Sequence, residues 1–79
     1  MYREFAYVCE WSDERREDAI IKIWWDAEYN NWRWFYRANN GLDYEQGFSW
    51  VTLKSIKSTL RRAFYPPRKA RFRRVTTSE

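Results

Sequence analysis

Residues 19–41 have the sequence AIIKIWWDAEYNNWRWFYRANNG, and they decide the fold because two apolar, aromatic runs flank a polar turn. β-Branched and aromatic residues favour strands, so residues 19–26 and 32–38 are predicted strands and residues 27–31 the turn between them. Asn39-Asn40-Gly41 ends the second run, and Asn-Gly tolerates the positive φ that a tight hairpin requires. The stretch therefore predicts an antiparallel hairpin followed by a second sharp turn.

The segments on either side extend this sheet. Residues 2–11 alternate aromatic and other side chains, which predicts a first strand. Residues 13–18 contain no apolar residue and predict a solvated loop. Residues 42–48 predict a short fourth strand, although Gly47 weakens that prediction and leaves a loop as the alternative.

Residues 49–64 form the one predicted helix. At about 100° per residue, its apolar side chains fall within an arc of roughly 100° (Leu53, Ile56, Leu60, Ala63 and Phe64). Ser49 or Thr52 can cap its N-terminus, and the Pro66-Pro67 pair ends it. These features predict an amphipathic helix that lies on a sheet.

The predicted fold class is α+β. We expect a small antiparallel sheet of three to four strands, with one C-terminal amphipathic helix packed on one face. Residues 1–65 would form a single domain, and residues 66–79 a basic C-terminal tail, in which residues 75–77 could instead form an edge strand. A helix of about 12 residues covers roughly 20 Å, enough for one face of the sheet but not two. The pattern does not fix which face the helix covers.

Histidine is absent and Cys9 is the sole cysteine of the 79 residues. This composition removes Ser-His and Cys-His nucleophile pairs and a structural zinc site within one chain. Two acidic doublets (Asp26 with Glu28, Asp43 with Glu45) lie at predicted turns, where acids are ordinary solvating residues. We therefore predict a protein that is not an enzyme and binds no metal or cofactor. The lone cysteine and the lack of a secretory signal predict the cytoplasm, which is the host cytoplasm if a phage encodes the chain.

The net charge of +4 conceals two unequal parts. Residues 1–51 carry six Lys or Arg and ten Asp or Glu, a balance of −4, whereas residues 52–79 carry nine and one, a balance of +8. A basic excess of this kind predicts a partner rich in phosphate or carboxylate groups.

The candidate binding residues follow from that excess. The helix and the segment after it supply nine cations: Lys54, Lys57, Arg61, Arg62, Arg68, Lys69, Arg71, Arg73 and Arg74. Lysine and arginine neutralise phosphates, and the guanidinium also forms paired hydrogen bonds with phosphate or carboxylate. The alternatives are a solvated helix face and a disordered, solubilising tail. We expect no membrane partner, because no lipidation motif accompanies the basic segment.

The 17 aromatic residues give a second set of candidates. Trp32, Trp34 and Tyr36 share one face of a strand, and Phe72 lies within the basic segment. Phe5, Tyr7 and Trp11 form an equivalent row on the first strand. Such rings can stack on bases or form a homodimer contact, while the core is the ordinary place for any one of them.

Three strands followed by a helix, with Arg33, Trp34 and Arg37 on the third strand, are similar in layout to two groups of DNA-binding domains. These are the arm-binding domains of phage integrases and the DNA-binding domains of plant ethylene-response factors. That resemblance implies that the sheet contacts the major groove through arginine and tryptophan. In general character the chain also resembles the small accessory proteins of phages, including anti-CRISPR proteins, which implies a stoichiometric inhibitor.

The leading functional hypothesis is a small, non-enzymatic binding module. Its basic helix face and tail would engage nucleic acid or a nucleic-acid-handling complex such as a ribonucleoprotein. The alternative is a phage-type inhibitor, similar to anti-CRISPR proteins, that docks on an acidic protein surface of a host defence or transcription complex. In either case the aromatic sheet face could also form a homodimer.

Overall fold

A computed structural model describes residues 3–78 of the chain and the side chains of residues 6–75. It shows an open, five-stranded antiparallel sheet with the strand order β4-β3-β2-β1-β5 and one helix between β4 and β5. The elements are β1 (Arg3–Trp11), β2 (Ala19–Asp26), β3 (Asn31–Ala38), β4 (Asp43–Ser49), α1 (Leu53–Phe64) and β5 (Arg73–Ser78). The α+β class is confirmed, and the sheet has five strands where three to four were predicted.

The two turns of the central hairpins form as their residues predict. After β2, the Asp26 carboxylate accepts hydrogen bonds from the backbone N–H groups of Glu28 (3.0 Å) and Tyr29 (3.3 Å). After β3, Asn39 and Gly41 have positive φ values of 55° and 84°, which Asn and Gly tolerate best. β3 and β4 therefore pair directly, with Trp34 opposite Gly47.

Helix α1 begins one turn later than predicted. The Thr52 hydroxyl accepts a hydrogen bond from the Ser55 backbone N–H at 3.2 Å, so Thr52 and not Ser49 is the N-cap. The helix ends at Phe64, followed by Tyr65 in the left-handed region just before the proline pair. Three helix residues, Ile56, Leu60 and Phe64, are buried.

The buried cluster joins the helix to one face of the sheet. Its strand members come from alternate positions of three strands (Cys9 and Trp11; Ala19, Ile21 and Ile23; Tyr36 and Ala38). Phe64 stacks on Tyr36 with ring centroids 4.2 Å apart and an angle of 11° between the planes. Arg16 lies in the loop after β1, donates a hydrogen bond to the Phe64 carbonyl and sits over the Tyr36 ring. A cation there suits the negative end of the helix dipole.

The opposite side of the sheet, which we call the open face, carries the other set of alternating side chains. Residues 33, 35 and 37 of β3 point to it, together with residues 22 and 24 of β2 and residues 44, 46 and 48 of β4. These side chains are half-buried or exposed, and none belongs to the buried cluster. The sequence pattern did not determine which face of the sheet the helix covers. In the structure, α1 packs on the face that carries Ile21 and Tyr36.

The predicted basic tail is not confirmed. Residues 73–78 form β5, an edge strand that pairs with β1, with Val75 opposite Ala6 and Arg73 opposite Val8. The boundary predicted after residue 65 is therefore crossed by backbone hydrogen bonds to residues 3–8. Residues 73–78 pair with the outward N–H and C=O groups of β1, and their charged and β-branched residues suit an edge strand.

Candidate functional site

A basic groove runs between α1 and the segment that leads into β5. This concavity, which we call the basic groove, has a volume of about 440 Å³. It is lined by Lys57, Arg61, Arg68, Arg71 and Phe72. All five residues belong to the predicted binding set. The fold therefore brings together cations that lie up to 14 positions apart in the sequence (57 to 71).

Backbone contacts fix the shape of this groove. The Ala70 backbone N–H donates to the Pro67 carbonyl at 2.9 Å, which closes a turn over residues 67–70. The Ala70 carbonyl in turn accepts a hydrogen bond of 2.7 Å from the Arg61 guanidinium. Because Ala70 is itself buried, this bond ties the turn to the helix and holds Arg68 and Arg71 beside it.

Aromatic rings support the lysine of the groove. The Lys57 ammonium lies 4.2 Å from the centroid of the Tyr7 ring and 6.0 Å from that of Phe72. Cation–π contacts of this kind orient an ammonium without neutralising its charge. Lys57 therefore remains available to an anion.

Carboxylates are missing from the lining of the basic groove. Within residues 6–75, ion pairs join Arg33 to Asp26 at 3.3 Å and Arg73 to Glu10 at 2.5 Å. Neither involves a residue of the groove. Among these described side chains, the four cations of the groove thus lie together without an ion-paired carboxylate, which creates a strong local positive potential.

The other predicted cations are distributed around the groove. Lys54, Arg62 and Lys69 are exposed, on the helix and on the turn after it. Arg73 points to the open face, where Glu10 pairs with it, so it does not join the groove. Arg74 is exposed and lies opposite Tyr7 in the β1–β5 register.

The candidate contact rings of β3 form no fully exposed platform, because Trp32 and Trp34 are half-buried and Tyr36 is buried. Tyr36 is only 4% exposed because Phe64 covers it. Trp34 packs beside Phe64 and Trp32 beside Tyr7, so both rings lie against the buried cluster. In the equivalent row on β1, Trp11 is buried and the Phe5 side chain lies outside the described residues. The residues behind the resemblance to sheet-reading DNA-binding domains do not share one face. Arg33 and Arg37 lie on the open face, whereas Trp34 lies on the face that α1 covers.

Sequence reasoning missed the aromatic residues of the open face. Trp24, Phe35 and Tyr44 form a continuous row across β2, β3 and β4, with ring centroids 6.0 Å and 6.1 Å apart. The Lys22 ammonium lies 5.7 Å from the centroid of Trp24, and Arg37 is exposed nearby on β3. The sequence did contain a signal for this face. Arg33 and Arg37 alternate with the buried side of β3, and arginines mark the side of a strand that faces water.

One end of the open face forms a second concavity, which we call the ring pocket. It has a volume of about 350 Å³ and is lined by Tyr29, Asn31, Arg33, Phe48 and Trp50. Phe48 and Trp50 meet edge to face, with centroids 5.1 Å apart. The Asn31 side-chain oxygen is buried and has no hydrogen-bond partner.

Cys9 lies on β1 within the buried cluster and is fully buried. Burial raises the pKa of its thiol, and the nearby Arg61 guanidinium acts in the opposite direction. A buried neutral thiol is a poor nucleophile, so Cys9 acts as a small core residue.

The described part of the chain contains no group of three or more His, Cys, Asp or Glu residues placed to hold a metal ion. No helix within residues 3–78 is long and apolar enough to span a bilayer.

Comparison with known proteins gives no relative. No protein-family model, curated protein or solved structure matches this chain.

Proposed function

We propose that this protein binds nucleic acid by placing the phosphate backbone in the basic groove. The observation that carries the proposal is the convergence of Lys57, Arg61, Arg68 and Arg71 on one concavity whose lining includes no carboxylate. A row of phosphates is the common polyanion that such a surface fits, because each cation can neutralise one phosphate and release its condensed counterion.

The groove residues divide into two roles. Arg61 is half-buried and donates to the Ala70 carbonyl, so it mainly shapes the site while adding its charge. Arg68 lies on the turn and Arg71 directly after it; both are exposed, so their guanidinium groups can form paired hydrogen bonds with phosphate oxygens. Lys57 supplies a point charge between them and the helix.

The remaining exposed cations widen this surface beyond the groove. Lys54 and Arg62 lie on the helix and Lys69 lies between the two turn arginines. α1 has no acidic residue in its first turn and carries Arg61 and Arg62 in its last. A backbone that follows the groove would therefore meet further positive charge on α1 and on the turn after it.

The test compares three polyanions at low salt by fluorescence anisotropy: duplex DNA, single-stranded RNA and poly-glutamate. We expect binding to the nucleic acids and weaker binding to poly-glutamate, because the phosphate backbone holds a condensed counterion atmosphere whose release favours binding. The double variant Arg68→Gln/Arg71→Gln should weaken binding about 5- to 30-fold, if each exposed contact contributes roughly 0.5–1 kcal/mol.

The matched control is Arg15→Gln, which removes an exposed arginine from the loop after β1. It should leave the affinity unchanged within error. Equal or tighter binding to poly-glutamate would overturn the proposal and favour docking on an acidic protein. A lack of binding to either nucleic acid at low salt would also overturn the proposal.

A further inference from the structure

β4 is one of the two edge strands of the sheet, and within residues 3–78 it pairs with β3 alone. Alternate residues of an edge strand direct their N–H and C=O groups away from the sheet, where another chain can pair with them. Lysine and proline commonly prevent such pairing, and β4 contains neither of them. The other edge strand, β5, begins with two adjacent exposed arginines, which disfavour the approach of a second copy. β4 is therefore the edge at which another strand can add.

The exposed apolar side chains of the molecule concentrate along this edge. Among the side chains of residues 6–75, eight large apolar residues are exposed, and five of these lie within residues 42–51 (Leu42, Tyr44, Phe48, Trp50 and Val51). Tyr44 and Phe48 are 53% and 52% exposed, and both belong to the open face. Contiguous exposed apolar surface of this kind commonly marks a protein interface.

The sequence of β4 is complementary to itself in the antiparallel direction. If two copies pair with Gln46 opposite Gln46, all seven residues of β4 face a partner. Tyr44 then lies opposite the other copy's Phe48, and two-fold symmetry forms the same pair a second time. Side chains directly opposite each other in an antiparallel pair have Cβ atoms about 4.5–5.5 Å apart, so these rings would be in contact. The Tyr44 hydroxyl already donates to the Gln46 side-chain oxygen at 3.3 Å, which holds both side chains along the edge.

The carboxylates of β4 select this register. With Gln46 on the two-fold axis, Glu45 lies opposite the other copy's Gly47. Asp43 lies opposite the other copy's Ser49, so no two carboxylates face each other directly. Moving the axis by one residue to Glu45 would place two like charges opposite each other, which is destabilising. Every other position of the axis also pairs fewer residues of β4.

We propose that two copies of this chain associate through antiparallel pairing of their β4 strands about Gln46, which joins two five-stranded sheets into one. This inference goes beyond the proposed function, because the basic groove lies at the other end of the sheet, where Lys57 contacts Tyr7 of β1.

The area available at this edge fits a transient dimer. Tyr44, Phe48 and Trp50 are 53%, 52% and 70% exposed, so each copy offers roughly 300–400 Å² of ring surface. Burial of this surface in both copies, together with the strand backbone, gives a total near the lower limit of about 1,000 Å² for specific interfaces. A dissociation constant of about 10–200 μM is therefore expected.

The experiment is sedimentation equilibrium of the full-length chain at about 5–500 μM. We expect the average mass to rise from that of one chain towards that of two. Raising the salt concentration from about 0.05 to 0.5 M should preserve or strengthen the dimer, because screening weakens repulsion between the acidic edges. A chain that stays monomeric at every concentration would overturn the proposal. Dissociation by salt would also overturn it, since attraction between the basic groove and acidic residues would then hold the copies together.

A pair of ring variants tests the contact. Tyr44→Ser should raise the dissociation constant about 3- to 30-fold, because each dimer loses two ring pairs. Tyr65→Ser removes a ring that is 69% exposed just after α1 and should leave the dissociation constant unchanged. Equal effects of the two variants would contradict pairing through β4.

Cysteine variants test the register. Two Gln46→Cys copies would have Cα atoms about 4.5–5.5 Å apart, within the range that a disulfide spans, so mild oxidation by diamide should cross-link them. In the same register the two copies of residue 49 lie about 20 Å apart, so Ser49→Cys should not cross-link. The native chain is the blank, because its Cys9 is fully buried. Absence of cross-linking in Gln46→Cys, or equal cross-linking in Ser49→Cys, would show that the inference is wrong.

Discussion

The contact between Phe64 of α1 and Tyr36 of β3 is the most direct link between the helix and the sheet. Their rings lie 4.2 Å apart and nearly parallel, and Phe64 is 7% exposed. Replacing Phe64 by leucine removes this stacking and part of the buried ring. Stacked aromatic pairs contribute about 0.5–1.5 kcal/mol beyond their buried area, so the pair should show a measurable coupling energy.

The assay is a double-mutant cycle on the free energy of unfolding, measured by urea denaturation. Phe64→Leu, Tyr36→Leu and the double variant should give a coupling of about 1 kcal/mol, since residues in contact are not additive. The control cycle combines Tyr36→Leu with Phe48→Leu, which lies on the opposite face of the sheet. That cycle should be additive to within about 0.3–0.5 kcal/mol. A Phe64–Tyr36 coupling no larger than the control would refute the packing of α1 on this face.

Three further predictions concern stability. Gly47→Ala should destabilise the fold by about 1–3 kcal/mol, because the new Cβ would lie 2.8 Å from the Trp34 ring; an unchanged melting temperature would contradict the β3–β4 register. Thr52→Ala should cost about 1 kcal/mol by removing the N-cap to Ser55, whereas Thr52→Ser should restore most of it; equal losses in both variants would exclude the cap. Burial raises the pKa of the Cys9 thiol, so its contribution to stability is present below the ordinary thiol pKa and is lost as pH rises through the raised value. Urea midpoints measured from about pH 8 to about pH 10 should therefore fall more steeply for the native chain than for Cys9→Ala, and parallel curves would refute this assignment.

The local parts of the fold were predictable because their signals are local. The bounds of β2 were predicted correctly at Ala19 and Asp26, and the helix was correctly predicted to end at Phe64 before the proline pair. The Asn39–Gly41 turn was predicted from residue types that tolerate positive φ. In each case neighbouring residues determine the outcome.

The parts that were missed depend on distant partners. β5 pairs with β1, 65 to 75 residues earlier in the chain, and the β-branched residues 75–77 indicated an edge strand only as the alternative to a tail. Which face the helix covers depends on which side of the sheet buries more apolar area. That area is a sum over three strands and the helix, so no single segment of the sequence determines it. The basic groove was predicted as a set of residues but not as a shape, because the turn at Pro67 and Ala70 brings Arg68 and Arg71 back to the helix. The ring pocket combines a turn, a strand end and a bend, which no local sequence pattern joins.

The salt dependence of DNA binding tests the central claim most directly. If Lys57, Arg61, Arg68 and Arg71 each neutralise one phosphate, the logarithm of the binding constant should fall against the logarithm of salt concentration with a slope of about −3.6. Arg68→Gln and Arg71→Gln should each make that slope shallower by about 0.9, and Arg15→Gln should leave it unchanged. A slope near zero, or the same change in slope for Arg15→Gln as for the groove variants, would contradict the account.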